Sequence, residues 1–208
     1  MLYPTHPRVG ESLPHHSDFF KCSTVRRIDP CPAGTYNRTI GNTHLNDAEK
    51  IVMGIDPGLR HTGFAIVRQA GRKLAPVEYD LIKTPSEQTL PQRLETIFEV
   101  ISGVIERHQP EAVAIEELFF GKNSASAIDV GHARGVMIVA ARLKGVQVFE
   151  YTGLEVKMAL TGYGRADKGQ VAYMVRQVLK MKEDPKPRDV TDALAIALCH
   201  LQTKDFSK

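Results

Sequence analysis

Ile51-Val52-Met53-Gly54-Ile55-Asp56-Pro57-Gly58 is the stretch on which the fold turns. A mostly apolar run leads straight into an aspartate, and Pro57-Gly58 breaks it. An unbroken apolar run bounded by turn residues reads as a strand buried on both faces. Such a strand belongs in the middle of a sheet, because an edge strand keeps one wet face. Asp56 then falls where buried backbone gives way to a cleft. A carboxylate there is costly unless it is paired, protonated or holding a metal. The plainer alternative is a turn aspartate that bonds its own backbone ahead of Pro-Gly. The strand alone does not choose between them.

Upstream of this strand the chain changes character. The first fifty residues hold five of the twelve prolines, with scattered His, Ser, Thr and Asn and no sustained period. So little apolar surface predicts a disordered or loosely attached extension over residues 1–50, or a start site assigned too far upstream. Cys22, Cys31 and Cys199 form no disulfide framework. With His15 and His16 the first two still lack four ligands at the spacing of a closed zinc site. The 208 residues suffice for one domain, read as 51–202, plus the extension and a short tail at 203–208. No apolar run approaches the roughly 20 residues that span a bilayer, and no signal-like stretch opens the chain. The expected compartment is the cytoplasm. A formal net charge of +3 permits nucleic-acid binding without indicating it.

Downstream, Thr62 to Val67 reads as a second strand and Pro76 to Ile82 as a third, with Val77, Tyr79 and Leu81 on one face. Short turns predict an antiparallel meander. Leu90, Leu94, Ile97, Phe98, Ile101, Val104 and Ile105 recur at helical steps. Pro91 suits the first turn, Pro110 closes the element, and the charged face, Arg93 included, reads as solvated. Ala112-Val113-Ala114-Ile115-Glu116-Glu117 repeats the opening pattern of a short apolar strand ending in acids. The helix before it makes a crossover, so this strand runs parallel to its neighbour.

Ser124 to Leu143 is helical, and Gly131 and Gly135 on one side suggest a close approach by another element. Val146 to Glu150 is a fifth strand. Thr152 with Glu155, and Asp167 with Gln170, fit capping boxes that open two helices, the second running through Lys180. A last helix spans about Arg188 to His200. The whole reads as an α/β domain, a five-stranded mixed sheet flanked by helices.

In that last helix Asp189 and Asp192 are three apart and share a face. Taken alone they read as an N-cap and a first-turn acid favoured by the helix dipole. Together with Asp56 and Glu116 they read differently. Carboxylates delivered by separate elements repel one another unless a cation sits among them. Oxygen-rich sites of this kind suit Mg²⁺ or Mn²⁺, and two such ions can clamp the attacking water and the leaving oxygen of a phosphodiester. Spacing makes a metal-dependent phosphoryl-transfer site plausible and goes no further.

With acids at these positions, the element order resembles the ribonuclease H-like superfamily. The motifs narrow it. GIDPG at Gly54–Gly58, AIEELFFGKN at Ala114–Asn123, GHARGV at Gly131–Val136, the stretch Tyr163–Arg176 and DVTDALAIA at Asp189–Ala197 are similar to the RuvC family of crossover junction endodeoxyribonucleases, from Ile51 to about Leu201. The resemblance implies a Holliday junction resolvase. It implies paired, symmetric nicks with 5′-phosphate and 3′-hydroxyl ends, two Mg²⁺ ions per active site with Mn²⁺ as substitute, and cooperation with the branch-migration proteins RuvA and RuvB. Residue by residue, it makes Asp56, Glu116 (rather than Glu117), Asp189 and Asp192 the catalytic, metal-holding acids, with Asp56 between the ions.

For DNA contact the resemblance points to Phe119, which would stack on junction bases or else sit in the core. It also points to Lys157 and Lys168, which would meet phosphate or otherwise remain solvated. Arg60, Lys122, Arg134, Tyr163 and Arg165 are further candidates for backbone contact. Paired cuts across a symmetric junction call for two sites on a two-fold axis, hence a homodimer, with the Gly131–Gly135 helix as candidate contact. Three rivals remain: a structure-selective DNA-binding protein without activity, an actin-like ATPase, and a ribonuclease acting on RNA–DNA hybrid.

Overall fold

The computed structural model describes residues 49–117 and 124–205; the extension read over 1–50 lies almost wholly outside them. β1 (Lys50–Asp56), β2 (His61–Ala70) and β3 (Lys73–Lys83) are followed by α1 (Leu90–His108), β4 (Ala112–Glu116), α2 (Ser124–Leu143) and β5 (Gln147–Tyr151). Then come α3 (Gly153–Thr161), α4 (Lys168–Val178) and α5 (Arg188–Asp205). The strands form one mixed sheet in the order β3-β2-β1-β4-β5. β1 pairs antiparallel with β2 and parallel with β4, and β4 pairs parallel with β5. β1 is therefore interior, as its unbroken apolar run requires.

Each face of the sheet carries its own core. Val52, Ala65, Ala112 and Ala114 pack against α3, α4 and α5 through Val156, Leu160, Val171, Val175, Leu194 and Leu198. Met53, Ile55, Ile66, Val113 and Ile115 pack against α1 and α2 through Ile97, Ile101, Ile105, Met137 and Ala141. No helix among the described residues is long and apolar enough to cross a membrane.

Several local expectations are corrected. β3 starts at Lys73, not at Pro76, because an edge strand tolerates a residue with no N–H to donate. Its register with β2 shifts between Ile66↔Glu78 and Val67↔Pro76. The bulge flips the alternation, so Val77 packs against the core on the α1 and α2 side while Tyr79 and Leu81 pack against the core on the α3–α5 side. Arg93 is not solvated: it is 7% exposed. Its guanidinium donates to the carbonyls of Gln88 (3.0 Å) and Ser86 (3.1 Å) and to the Thr84 hydroxyl (3.0 Å), tying the β3–α1 connection.

α4 ends at Val178, before Lys180, which adopts a left-handed φ of 51°. α5 continues to Asp205, past residue 202. Among the described residues nothing comes close to Gly135, where a Cβ would meet no atom within 4 Å. α2 packs instead through Ala133, Met137, Ala140 and Ala141 on its other side.

Candidate active site

The four acids arrive from three elements. Asp56 ends β1 and Glu116 ends β4, and the register Ile55↔Ile115 sets these carboxyl-bearing ends side by side. Asp189 and Asp192 come from α5, which crosses the same end of the sheet. α5 begins at Arg188, so Asp189 lies inside the first turn rather than at the N-cap, and Asp192 lies further along. All four are half-buried.

Glycines bring α5 this close, a feature that sequence reasoning missed. A Cβ on Gly63 would stand 2.0 Å from the Asp189 carbonyl oxygen. A Cβ on Gly54 would stand 2.1 Å from the Ala193 carbonyl oxygen and 2.7 Å from the Ala197 nitrogen. Gly63 pairs with Asp56 across the β1–β2 ladder. The bare backbone of β2 therefore seats Asp189 next to the end of β1. Ala193 and Ala197, one helical turn apart and opposite Gly54, are the signal that could have revealed it. Gly153, at the start of α3, leaves room for Glu116: a Cβ there would be 3.1 Å from Glu116 Oε1.

The turn after β1 is fixed by hydroxyls. Thr62 donates to the Gly58 carbonyl at 2.6 Å and Thr84 to the Leu59 carbonyl at 2.7 Å. The Asp56 and Glu116 side chains lie close enough that each affects the other's ionisation, while the turn itself is held by Thr62 and Thr84. Burial first, and then the charges of Glu116, Asp192 and Asp189, push Asp56 up to about 8. Burial and Asp192 also raise Glu116, against the lowering pull of Asp56, Lys168 and Lys157. Lys168 Nζ donates to Asp192 Oδ2 at 3.0 Å, and that bond raises its own pKa.

This donor set fits divalent cations. Oxygen ligands crowd together with more negative charge than their surroundings balance, which suits Mg²⁺ or Mn²⁺ and not the softer metals. Among the described residues, no three Asp, Glu, His or Cys side chains already stand at metal-holding geometry. The fit therefore rests on the electrostatics and the donor chemistry.

Around the acids, Lys157 is half-buried beside Glu116, and Lys168 is exposed apart from its Asp192 contact. Arg60, Tyr163 and Arg165 are exposed, Arg60 in the β1–β2 turn and the other two in the α3–α4 loop. Arg134 is different: its side chain is 15% exposed, and it pairs with Glu150 at 2.5 Å. Phe119 and Lys122 lie outside the described residues.

Residues 52–200 match the family model described as "Crossover junction endodeoxyribonuclease RuvC". The chain belongs to the RuvC family. The family relative from Alkaliphilus oremlandii is 46% identical over 76% of this chain and 96% of its own length. The relative from Rubrobacter xylanophilus is 48% identical over 74% and 87%. Among solved structures, Thermus thermophilus RuvC in complex with Holliday junction substrate is similar at a TM-score of 0.73 and 40% identity, covering 76% of this chain and 96% of that one. The yeast mitochondrial Holliday junction resolvase Ydc2 shares the fold at a TM-score of 0.54 and 11% identity. RuvC-family membership makes the chain a nuclease on the ribonuclease H-like fold, which removes the actin-like ATPase from the alternatives.

Proposed function

We propose that the chain resolves Holliday junctions by paired, symmetric nicks that leave 5′-phosphate and 3′-hydroxyl ends, in recombination and DNA repair. The observation that carries this reading is the meeting of Asp56, Glu116, Asp189 and Asp192 at one end of the sheet, with Asp56 pushed up to about 8 by burial and its acidic neighbours. The RuvC relationship supplies the substrate class.

Asp56, Glu116, Asp189 and Asp192 would hold two Mg²⁺ ions, or Mn²⁺ in their place. When bound, such ions would supply activation of the attacking water and charge stabilisation for the leaving 3′-oxygen. The chain's own groups do the rest. Asp56, held largely protonated by burial and its acidic neighbours, would give up its proton as cations bind. Lys168 keeps Asp192 oriented and, with Lys157, offers positive charge to the phosphate as charge builds on it. Arg60, Tyr163 and Arg165 would line the approach as contacts to the DNA backbone, with Lys122 a further candidate and Phe119 assigned to the junction bases from the family resemblance alone.

Residues 51–202 would carry the activity, with 1–50 as an appendage and α5 running on to Asp205. Two sites on a two-fold axis would come from a homodimer formed through the outer face of α2, where Ile128, Val139 and Leu143 are 59%, 51% and 69% exposed. The compartment would be the bacterial cytoplasm, and RuvA and RuvB the partners that present the junction.

The test is nicking of a synthetic four-way junction beside a matched linear duplex and an RNA–DNA hybrid, each with Mg²⁺, Mn²⁺ or EDTA. Paired metal-dependent nicks on the junction alone are expected. Binding without nicks under either metal would make the chain a structure-selective binder, and cutting of the hybrid would overturn the substrate.

A further inference from the structure

Glu116 is the last residue of β4, where a strand ordinarily loses its restraint. Here the peptide unit that follows it is gripped from both sides. Its carbonyl, that of Glu116, accepts from Arg134 Nε on α2 at 3.2 Å. Its N–H, that of Glu117, donates to the Tyr151 carbonyl on β5 at 2.9 Å. These two bonds fix the plane of a single peptide, and with it the direction in which the Glu116 side chain leaves the strand.

The same guanidinium reaches a third element. Arg134 pairs with Glu150 of β5 at 2.5 Å, and its side chain is 15% exposed. Ile115↔Glu150 and Glu116↔Tyr151 are partners in the β4–β5 ladder, so Arg134 closes that ladder at its open end. A side chain engaged in this way has little charge or surface left to meet a phosphate. Gly153 completes the seat, since a Cβ there would crowd Glu116 Oε1 at 3.1 Å.

We propose that Arg134 is a positioning residue for the acid Glu116, and not a contact to the DNA backbone. It acts through the backbone, holding the Glu116 peptide so that the carboxylate points at Asp56. The fork of an arginine is needed, because one nitrogen donates to the Glu116 carbonyl while another lies in ion-pair contact with the Glu150 carboxylate. A lysine ammonium at the same place cannot reproduce that geometry. The proposal rests on the resolvase reading for its substrate, but not for its metal readout.

The test uses the full chain with Arg134→Met, Arg134→Lys and Glu150→Gln. Mn²⁺ binding is followed by calorimetry without DNA. Junction nicking is followed against Mg²⁺ concentration, and junction binding in EDTA across a salt series. Thermal unfolding reports whether each variant folds. Loss of an orienting partner around a ligand carboxylate costs about 10–100-fold in metal affinity or activity. Arg134→Met is expected to raise both metal midpoints about tenfold, with junction affinity in EDTA and its salt slope unchanged.

Arg134→Lys should remain close to Arg134→Met, while Glu150→Gln, which keeps the bond to the Glu116 carbonyl, should show a smaller rise. Unchanged metal midpoints in folded Arg134→Met overturn the proposal, even if its melting temperature drops. So does a salt slope lowered by about one that Arg134→Lys restores, the mark of a phosphate contact. Should Arg134→Met fail to fold, Arg134→Lys and Glu150→Gln decide by the same readouts. A wild type that binds Mn²⁺ but nicks no junction refutes the function while leaving the positioning role open to the calorimetric arm.

Discussion

Asp56 governs how the molecule responds to pH. Its folded-state pKa of about 8, set first by burial and then by Glu116, Asp192 and Asp189, lies far above the ordinary carboxylate range. Between pH ~4 and ~8 the folded chain therefore keeps a proton that the unfolded chain has released. Stability falls as pH rises wherever the folded state binds more protons. The destabilisation is absent below ~4 and complete above ~8, and at pH 8 it is on the order of a few kcal/mol. Glu116, also raised, adds to it with the same sign. In EDTA, the melting temperature of the wild type should drop relative to Asp56→Asn between pH 5 and 8.5, and Mn²⁺ should restore it, since bound cations take the proton's place. Parallel curves for the two proteins would show Asp56 ionised throughout. Junction nicking by Asp56→Asn should be lost while binding in EDTA persists; retained cleavage would remove Asp56 from the catalytic set.

At the scale of elements, the site is a matter of how closely α5 lies on β1 and β2. A Cβ on Gly63 or Gly54 would meet helix backbone at 2.0 or 2.1 Å, and backbone cannot turn aside as a side chain end can. Overpacking typically costs about 1–3 kcal/mol, and a clash of backbone with Cβ belongs at the upper end. Gly63→Ala should lower stability by about 3 kcal/mol in urea unfolding. Because the intruding methyl lifts Asp189 itself, it should also weaken Mn²⁺ binding in whatever fraction folds. A Gly63→Ala protein with wild-type stability would mean that α5 is not seated as described.

The elements were legible from local pattern, since apolar runs ended by acids marked β1 and β4, and the boxes at Thr152 and Asp167 marked α3 and α4. Both boxes form, with Glu155 and Gln170 reaching back as their spacing requires. What local pattern could not show were contacts between residues distant in sequence. Nothing near Arg93 announced Thr84 and Ser86, nothing near Arg134 announced Glu116 and Glu150, and nothing near Gly63 announced Asp189. The bulge at Pro76-Val77 was hidden for the same reason, since a phase shift exists only relative to the partner strand. Asp56 and Glu116 were readable as candidates because burial at a strand end makes a carboxylate conspicuous, and Asp189 and Asp192 because they share a helix face, yet the meeting of the four depends on glycines that carry no chemistry.

For the whole molecule, the question is what covers the outer face of α2. Ile128, Gly135, Val139 and Leu143 follow one another at helical steps on the side away from the core, and the three large ones are more than half exposed. Gly135 weakens the helix by about 1 kcal/mol relative to alanine, and among the described residues nothing would come within 4 Å of a Cβ there. A glycine that costs stability without making room for any described residue of its own chain makes sense if a second copy comes that near. A C2 contact through this stripe would bring each α2 against its symmetry mate. It would place two acidic sites on one particle, as paired cutting demands. Val139→Glu combined with Leu143→Glu should give a monomer by sedimentation at micromolar concentration. Its melting temperature in that state should stay near that of a wild type diluted to monomer, because both positions are exposed. On a supercoiled plasmid that extrudes a four-way junction, the wild type should linearise the circle by two coupled cuts within one encounter. The double variant should accumulate singly nicked circles, with metal binding per chain unaltered. A wild type that sediments as a monomer, or a double variant that still pairs and still linearises, would move the two-fold axis away from α2.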